Sequence, residues 1–419
     1  MTYILFPPSG STDVCVDTPL RITFDSAPAI GQRGRIQIYR AIGEALVDTI
    51  DLSDPATYTN TVGGKRLAYN PIVVTGNAVS ILPHAHVLDY AETYYVTLDS
   101  TVFVDSQGVS LGSLSGKTAW RFTTKASAPA DGDDLVVAAN GSGHFATIQG
   151  AVDFVPENNY KPSAIYIRTG VYAEIVYVKP GKNRLTFRGE DRRATIINYT
   201  NNEGMNTRSS NRAMVVVEGN EFTLENMTLV NTTPKSGLQA EALKVDADQV
   251  ILRNCDFYSY QDTLMLNGRV FVTGCLVAGD VDFIWGFGTA YIEKSEIRAV
   301  HPGYNVQARN PNDKPGYVFV DCILTREPGV TGHFLGRTGK DGDQVVYLNC
   351  RMDDHIAPAG WDGADNGLGW LEYASTDLAG NPIDVSRRTS SRQLSEAQAA
   401  TLREVSYVLA GWDPLATKG

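Results

Sequence analysis

Apolar and polar residues alternate in short runs through the first 124 positions, as in Leu20-Arg21-Ile22-Thr23-Phe24, Ile36-Gln37-Ile38-Tyr39, Ala78-Val79-Ser80-Ile81-Leu82, Tyr94-Tyr95-Val96-Thr97-Leu98 and Trp120-Arg121-Phe122-Thr123-Thr124. A period of two sends successive side chains to opposite faces, one buried and one wet, and turn residues separate the runs. Residues 1–124 are therefore expected to form an antiparallel β-sandwich. The next stretch, 125–134, is small, polar and proline-containing, which is the composition of a linker.

From 135 to 419 the pattern changes. Leu135-Val136-Val137-Ala138 reads as a strand, and Ile148, Ala151, Val152 and Val155 then recur at the spacing of one helical face. That spacing predicts a short amphipathic helix, which would cover the open end of a solenoid. Six variants of one strand phrase follow, starting at Phe222, Val250, Val270, Ala290, Tyr317 and Val345 and so separated by 28, 20, 20, 27 and 28 residues. Unequal intervals around a recurring phrase describe coils whose loops vary on one side, and a right-handed parallel β-helix fits them. Near the C-terminus Ser395 and Gln398 have the spacing of a capping box. The helix they start is expected to continue from Ala399 to Leu409 and to pack along the solenoid or close its far end, with Trp412 and Pro414 pinning the tail. The expected class is all-β: a small sandwich, then a solenoid with helical caps.

Thirty-nine glycines and twenty tyrosines support that class, because glycine supplies positive-φ turns and tyrosine suits half-buried strands. A net charge of −11 argues against nucleic acid or an anionic membrane surface as partner, since either needs a basic footprint. No run reaches the roughly 18 apolar residues of a membrane span. The opening residues, Met1 to Pro8, carry neither the basic nor the long apolar region of a secretory leader. Cys15, Cys255, Cys275, Cys322 and Cys350 show no paired spacing, so neither a zinc site nor a disulfide framework is expected. Four of them share one position of the strand repeat, where buried thiols would stack as small hydrophobes. The histidines form no metal-like pair, and His355 is expected to be structural.

Candidate chemistry lies in two aspartates at equal offsets. Asp262 stands seven residues after Cys255, and Asp282 seven after Cys275. If each repeat is one coil, these side chains stack across neighbouring strands roughly 4.8 Å apart. Two carboxyls so close resist joint ionisation, so their pKa values should split, one group keeping its proton and the other its charge.

Around this pair the residues resemble those of pectin methylesterases. Tyr260-Gln261-Asp262-Thr263-Leu264 and Gly279-Asp280-Val281-Asp282-Phe283-Ile284-Trp285-Gly286 are similar to the two central motifs of that family. Gly170 to Glu174, Gln239 to Leu243, Gln307 to Arg309, Leu335 to Arg337 and His355 to Trp361 follow the family order over about 135–414. Residues 1–124 loosely resemble a bacterial immunoglobulin-like module, expected to be a spacer or weak binding element.

The resemblance implies hydrolysis of methyl esters on galacturonic acid units of pectin, on a β-helix and without metal or organic cofactor. Carried over by position, Asp282 would be the nucleophile that forms an acyl-enzyme. Asp262 would protonate departing methanol and then act as base on water. Gln261 would donate to the oxyanion with help from Gln239, and Arg337 would hold Asp282 charged. Tyr260, Phe283 and Trp285 either pack between coils or stack on sugar rings, and Arg309 is a further substrate-binding candidate. Methyl-esterified pectin is the expected partner, for a monomeric, secreted or extracellular protein with no nucleic-acid or membrane partner.

One departure stands out. Thr338-Gly339 occupies the place of the family's usual Pro-Trp, and Trp285 stands where phenylalanine is usual, which could restore part of the lost aromatic surface. Other readings are a pectate lyase, a two-carboxylate glycosidase on the same solenoid, and a non-catalytic polysaccharide-binding paralogue.

Overall fold

Leu20–Phe24 buries every second side chain, and Ala78–Ile81 beside it does the same, so the alternation read from the chain becomes two facing sheets. A computed structural model describes residues 3–132, 134–159, 161–311, 313–339, 343–363 and 369–416. It divides into two compact units, Met1–Val155 with Ile165–Ala173 and Pro156–Ala164 with Glu174–Gly419.

In the first unit one sheet orders Tyr3–Phe6, Leu20–Phe24, Ala78–Ile81 and Ile72–Thr75. The other orders Ser11–Val14, Arg121–Thr124, Thr93–Leu98, Arg35–Arg40 and Leu46–Asp51. Pairing is antiparallel except between Ser11–Val14 and Arg121–Thr124. Ile22, Val79, Val96, Trp120 and Phe122 fill the space between the sheets, and the Trp120 indole N–H donates to the Pro7 carbonyl at 2.9 Å. The predicted helix is present as α1, Ile148–Phe154, with Ile148, Ala151 and Val152 buried and Thr147 as its N-cap. Asp17 lies against the start of α1. It accepts from Ala146 N at 3.0 Å, Thr147 N at 2.8 Å and Thr147 Oγ1 at 2.6 Å, filling donors that a helix N-terminus leaves open.

The second unit is a parallel β-helix. The six recurring phrases are consecutive neighbours in one parallel sheet, joined in register as Thr223↔Ile251, Ile251↔Phe271, Phe271↔Tyr291, Tyr291↔Val318 and Val318↔Val346. At the end of each phrase, and again after Gly369–Tyr373, the chain turns through one left-handed residue: Asn226, Asn254, Gly274, Lys294, Asp321, Asn349 and Ala374, with φ between 47° and 63°. Asparagine, aspartate and glycine tolerate that conformation best, and they fill five of the seven corners. The following residue points inward, which is where Cys255, Cys275, Cys322 and Cys350 sit, all buried and free. They occupy the corner after the strand and not a strand position, because the strand has already ended at the preceding turn.

After each corner the chain enters a second parallel sheet. Leu276–Gly286 and Glu296–Ala308 run long through it, whereas earlier coils break the same path into two strands, such as Asp256–Tyr258 and Leu264–Leu266. The C-terminal helix begins with the predicted capping box at Ser395 and Gln398, as α2, Glu396–Arg403. It does not continue to Leu409. Glu404, at ψ 106°, interrupts it, and α3, Val405–Val408, follows. The break turns Val408 and Leu409 with Ala399 onto Phe271, Tyr291, Val318, Val346 and Leu371, so the segment packs along the solenoid's side, and Trp412 joins that cluster. No helix among the described residues is long and apolar enough to cross a membrane.

Candidate active site

Asp262 and Asp282 occupy the break between the two halves of the second sheet. Register Leu264↔Ile284 and Met265↔Trp285 places them at equivalent positions of adjacent coils, as their offsets predicted. Both have left-handed backbone, φ 69° and 49°, and Asp282 lies where the ladder to the next coil shifts register, a bulge that aims a side chain away from regular pairing. Only 6% of Asp262 and 4% of Asp282 is exposed, so neither is a solvated turn residue.

A third carboxyl belongs to the same row. Leu243 pairs with Leu264, and Ala242 N donates to Thr263 O, which puts Glu241 one coil before Asp262 at the same corner. Arginines stand at both ends. Arg212 donates from Nε to Glu241 Oε2 at 2.9 Å, from Nη2 to Glu241 Oε1 at 2.8 Å and to Asp262 Oδ2 at 2.9 Å, and from Nη1 to Glu203 Oε2 at 2.9 Å. Arg337 grips Asp282 with both arms: Nε to Oδ1 at 2.8 Å, and a close contact from Nη2 to Oδ2. Its guanidinium also lies 4.9 Å from the Tyr304 ring centre, and the Tyr304 hydroxyl donates to Asp362 at 2.9 Å. The order along the row is therefore Arg212, Glu241, Asp262, Asp282, Arg337.

These neighbours set the protonation of Asp262. Burial pushes its carboxyl up to about 8; the Glu241 charge adds to this, Arg212 opposes it, and Asp282 contributes less than either. Expected mutual repulsion within the aspartate pair is thus real, but it is not the main cause. Burial also raises Glu241, against the bidentate pull of Arg212.

The other predicted residues are distributed around this row. Gln239 and Gln261 precede Glu241 and Asp262, both half-buried, and their side-chain amides hydrogen-bond no described residue. Arg309 donates to Gln307 and lies 4.9 Å from the Trp285 ring and 5.8 Å from the Phe287 ring. Trp285 is nearly buried, with Arg212 5.8 Å from it on the dyad side. Tyr260 is half-buried and stacks on His301. Phe283 offers no face to a sugar: it is 0% exposed and packs against His333, so of the two readings given for it only packing between coils survives. His355 is buried away from the dyad row, next to His333.

Sequence reading missed Arg212, Glu241, Tyr304 and Phe287. Phe287 is 39% exposed beside Trp285, the aromatic surface that the chain does present. At Gly339 the backbone leaves no room for a side chain, because a Cβ there would lie 2.2 Å from the Ala308 carbonyl oxygen. No side chain fits that backbone, tryptophan least of all. Among the described residues no cluster of His, Cys, Asp or Glu has metal-binding geometry.

Comparison with known proteins agrees with this layout. The pectinesterase family matches residues 134–408, and a bacterial Ig-like domain matches residues 4–124. Pectinesterase 4 of Arabidopsis thaliana is 37% identical over 246 residues, covering 54% of this chain and 42% of that protein. The first curated relatives are longer, and the chain spans about half their length. Among solved structures, pectin methylesterase from carrot superposes with a TM-score of 0.62 at 28% identity, covering 68% of this chain and 95% of the other. A pectin methylesterase in complex with a hexasaccharide gives 0.58 at 26% identity, covering 67% and 98%. With two-thirds of its length matched and a stacked, arginine-flanked aspartate pair inside the matched region, the chain belongs to the pectinesterase family.

Proposed function

We propose that this protein hydrolyses methyl esters of galacturonic acid units in pectin. The observation that carries the reading is two buried carboxyls stacked on adjacent coils, one gripped by an arginine and the other pushed up by burial, beside two glutamine amides that no described residue engages. A carboxylate is a weak nucleophile and needs both a proton for the leaving group and donors for the oxyanion. Asp282 attacks the ester carbonyl carbon, and the Gln261 amide, with Gln239 behind it, stabilises the tetrahedral oxyanion. Collapse breaks the carbon–methoxy bond, Asp262 gives its proton to the departing oxygen, and methanol leaves an anhydride on Asp282. Asp262, now charged, takes a proton from water as the water attacks the substrate's carbonyl carbon. The new pectin carboxyl leaves as a carboxylate, its remaining proton passing to solvent, Asp282 is free again, and Asp262 has regained its proton.

Arg337 keeps Asp282 oriented through two charge-assisted hydrogen bonds. Tyr260 and Arg309 form the sugar-facing surface, with Trp285 as the platform beneath Arg309, and the hexasaccharide-bound relative supports an oligosaccharide as occupant. The protein acts as a secreted or extracellular monomer. Residues 1–124 serve as a spacer, 125–134 as the linker and 135–419 as the catalytic part. The test is methanol release from highly methylated pectin, run beside an ultraviolet assay for unsaturated product and a chromogenic acyl ester. Methanol alone supports the reading. Unsaturated product would indicate a lyase, and activity on the chromogenic ester alone would indicate a different esterase.

A further inference from the structure

The two coils before the aspartate pair carry charges that the reaction above does not use. Arg212 and Glu241 are both buried, and each is costly there unless held by partners. A network of asparagines holds them. Asn201 Nδ2 donates to the carbonyls of Asn211 at 2.8 Å and Ala213 at 2.9 Å, fixing the backbone on both sides of Arg212. Asn231 Nδ2 donates to the Asn201 carbonyl at 2.7 Å and to the Glu241 carbonyl at 3.0 Å, tying the two residues' backbones together. Asn206 Nδ2 donates to Asn201 Oδ1 at 2.9 Å, and Thr233 Oγ1 to Asn231 Oδ1 at 2.8 Å. So many satisfied buried groups define one geometry.

That geometry meets Asp262 at a single atom. Arg212 Nη2 donates to Oδ2, while Oδ1 accepts from no described residue. The carbonyl oxygen of a neutral carboxyl is its better acceptor, so an arginine donating to Oδ2 favours the proton on Oδ1. We propose that Arg212 and Glu241 form a positioning pair for the proposed esterase reaction: Arg212 occupies Asp262 Oδ2 and so places the transferable proton on Oδ1, and the Glu241 charge keeps that proton bound. The inference rests on the assignment of Asp262 as the acid. Glu241 is the leading charge that raises Asp262, after burial itself. The other charged groups facing Asp262 are Arg212 and, from the following coils, Asp282, Arg309 and Arg337; the two following arginines work against the proton.

Two measurements separate this inference from the esterase assignment. In Glu241→Gln, which keeps the shape and removes the charge, the titration of the Asp262 carboxyl resonance in isotope-labelled, substrate-free protein should move down by about one pH unit. The falling limb of kcat against pH should move the same way, with KM unchanged. The double variant Arg212→Met/Glu241→Met removes both buried charges together, so it should keep its thermal midpoint, yet lose about tenfold or more in kcat on the low-pH plateau at unchanged KM. Arg212→Lys should lose less. An Asp262 resonance that titrates alike in wild type and Glu241→Gln overturns the proposal, as does a folded double variant with wild-type kcat. If the wild type releases no methanol the esterase reading fails, and the resonance titration still decides whether Glu241 holds the proton.

Discussion

With its carboxyl pushed up to about 8, Asp262 keeps its proton through neutral pH, which suits the acid role proposed for it. The same shift has a stability consequence. A carboxyl whose folded pKa lies above its unfolded value favours the folded state fully below the unfolded value, about 3.9, and loses that contribution as pH rises through the folded value. Asp262→Asn, which does not titrate, should therefore gain stability relative to wild type as pH rises, by up to about 5 kcal/mol between about pH 4 and pH 9. Urea unfolding at the two pH values measures this, and an unchanged difference would contradict it. Catalysis should follow the same group, with kcat falling above about pH 8 as the acid is lost. Trp285→Phe should raise KM for methylated pectin roughly twofold to fivefold by weakening the Arg309 platform, and an unchanged KM would remove Trp285 from the binding surface. The aspartate pair was legible because both residues follow a corner cysteine at the same distance. Glu241 was not, since the loop from Thr232 to Leu238 precedes it and breaks that offset, although it stacks in the same row.

Elements were legible to the extent that their signal is local. Alternation marked the sandwich strands, a recurring phrase marked the solenoid sheet, and a capping box marked the start of α2, because each depends on residues close in sequence. The break at Glu404 carries no such signal; it is set by the fit of Val408 and Leu409 to the sheet. Gly339 is another case in which tertiary approach decides, with a Cβ excluded by the Ala308 carbonyl oxygen. Gly339→Ala should cost about 1–3 kcal/mol in stability. Because Gly339 follows Phe334–Arg337, the strand that delivers Arg337 to Asp282, kcat should fall as well. Thermal unfolding with steady-state kinetics tests both. A fully stable, fully active variant would mean that the strand end can yield.

The whole molecule combines a sandwich with a solenoid. Within the first unit, residues of the sandwich and α1 form one structure, through Asp17 and through the Cys15 thiol, which lies 3.6 Å from the carbonyls of Gly141 and Gly143. A Cβ on Gly150 would approach Asp17 Oδ2 to 2.3 Å, so that helix start admits Asp17 only with glycine there. Asp17→Ala leaves buried N–H groups unpaired and should destabilise the protein by about 1–3 kcal/mol, read as a lower thermal midpoint. A midpoint equal to wild type would mean that water replaces the carboxylate. The solenoid's contribution is stacking, which turns three separate loci of the chain into one row of carboxyls between two arginines. Whether that row is an ester-hydrolysing centre is tested most directly by methanol release from highly methylated pectin, comparing wild type with Asp262→Ala and Asp282→Ala, each confirmed folded. Release by the wild type and its loss in both variants is the predicted result; release undiminished in folded Asp282→Ala would contradict the account.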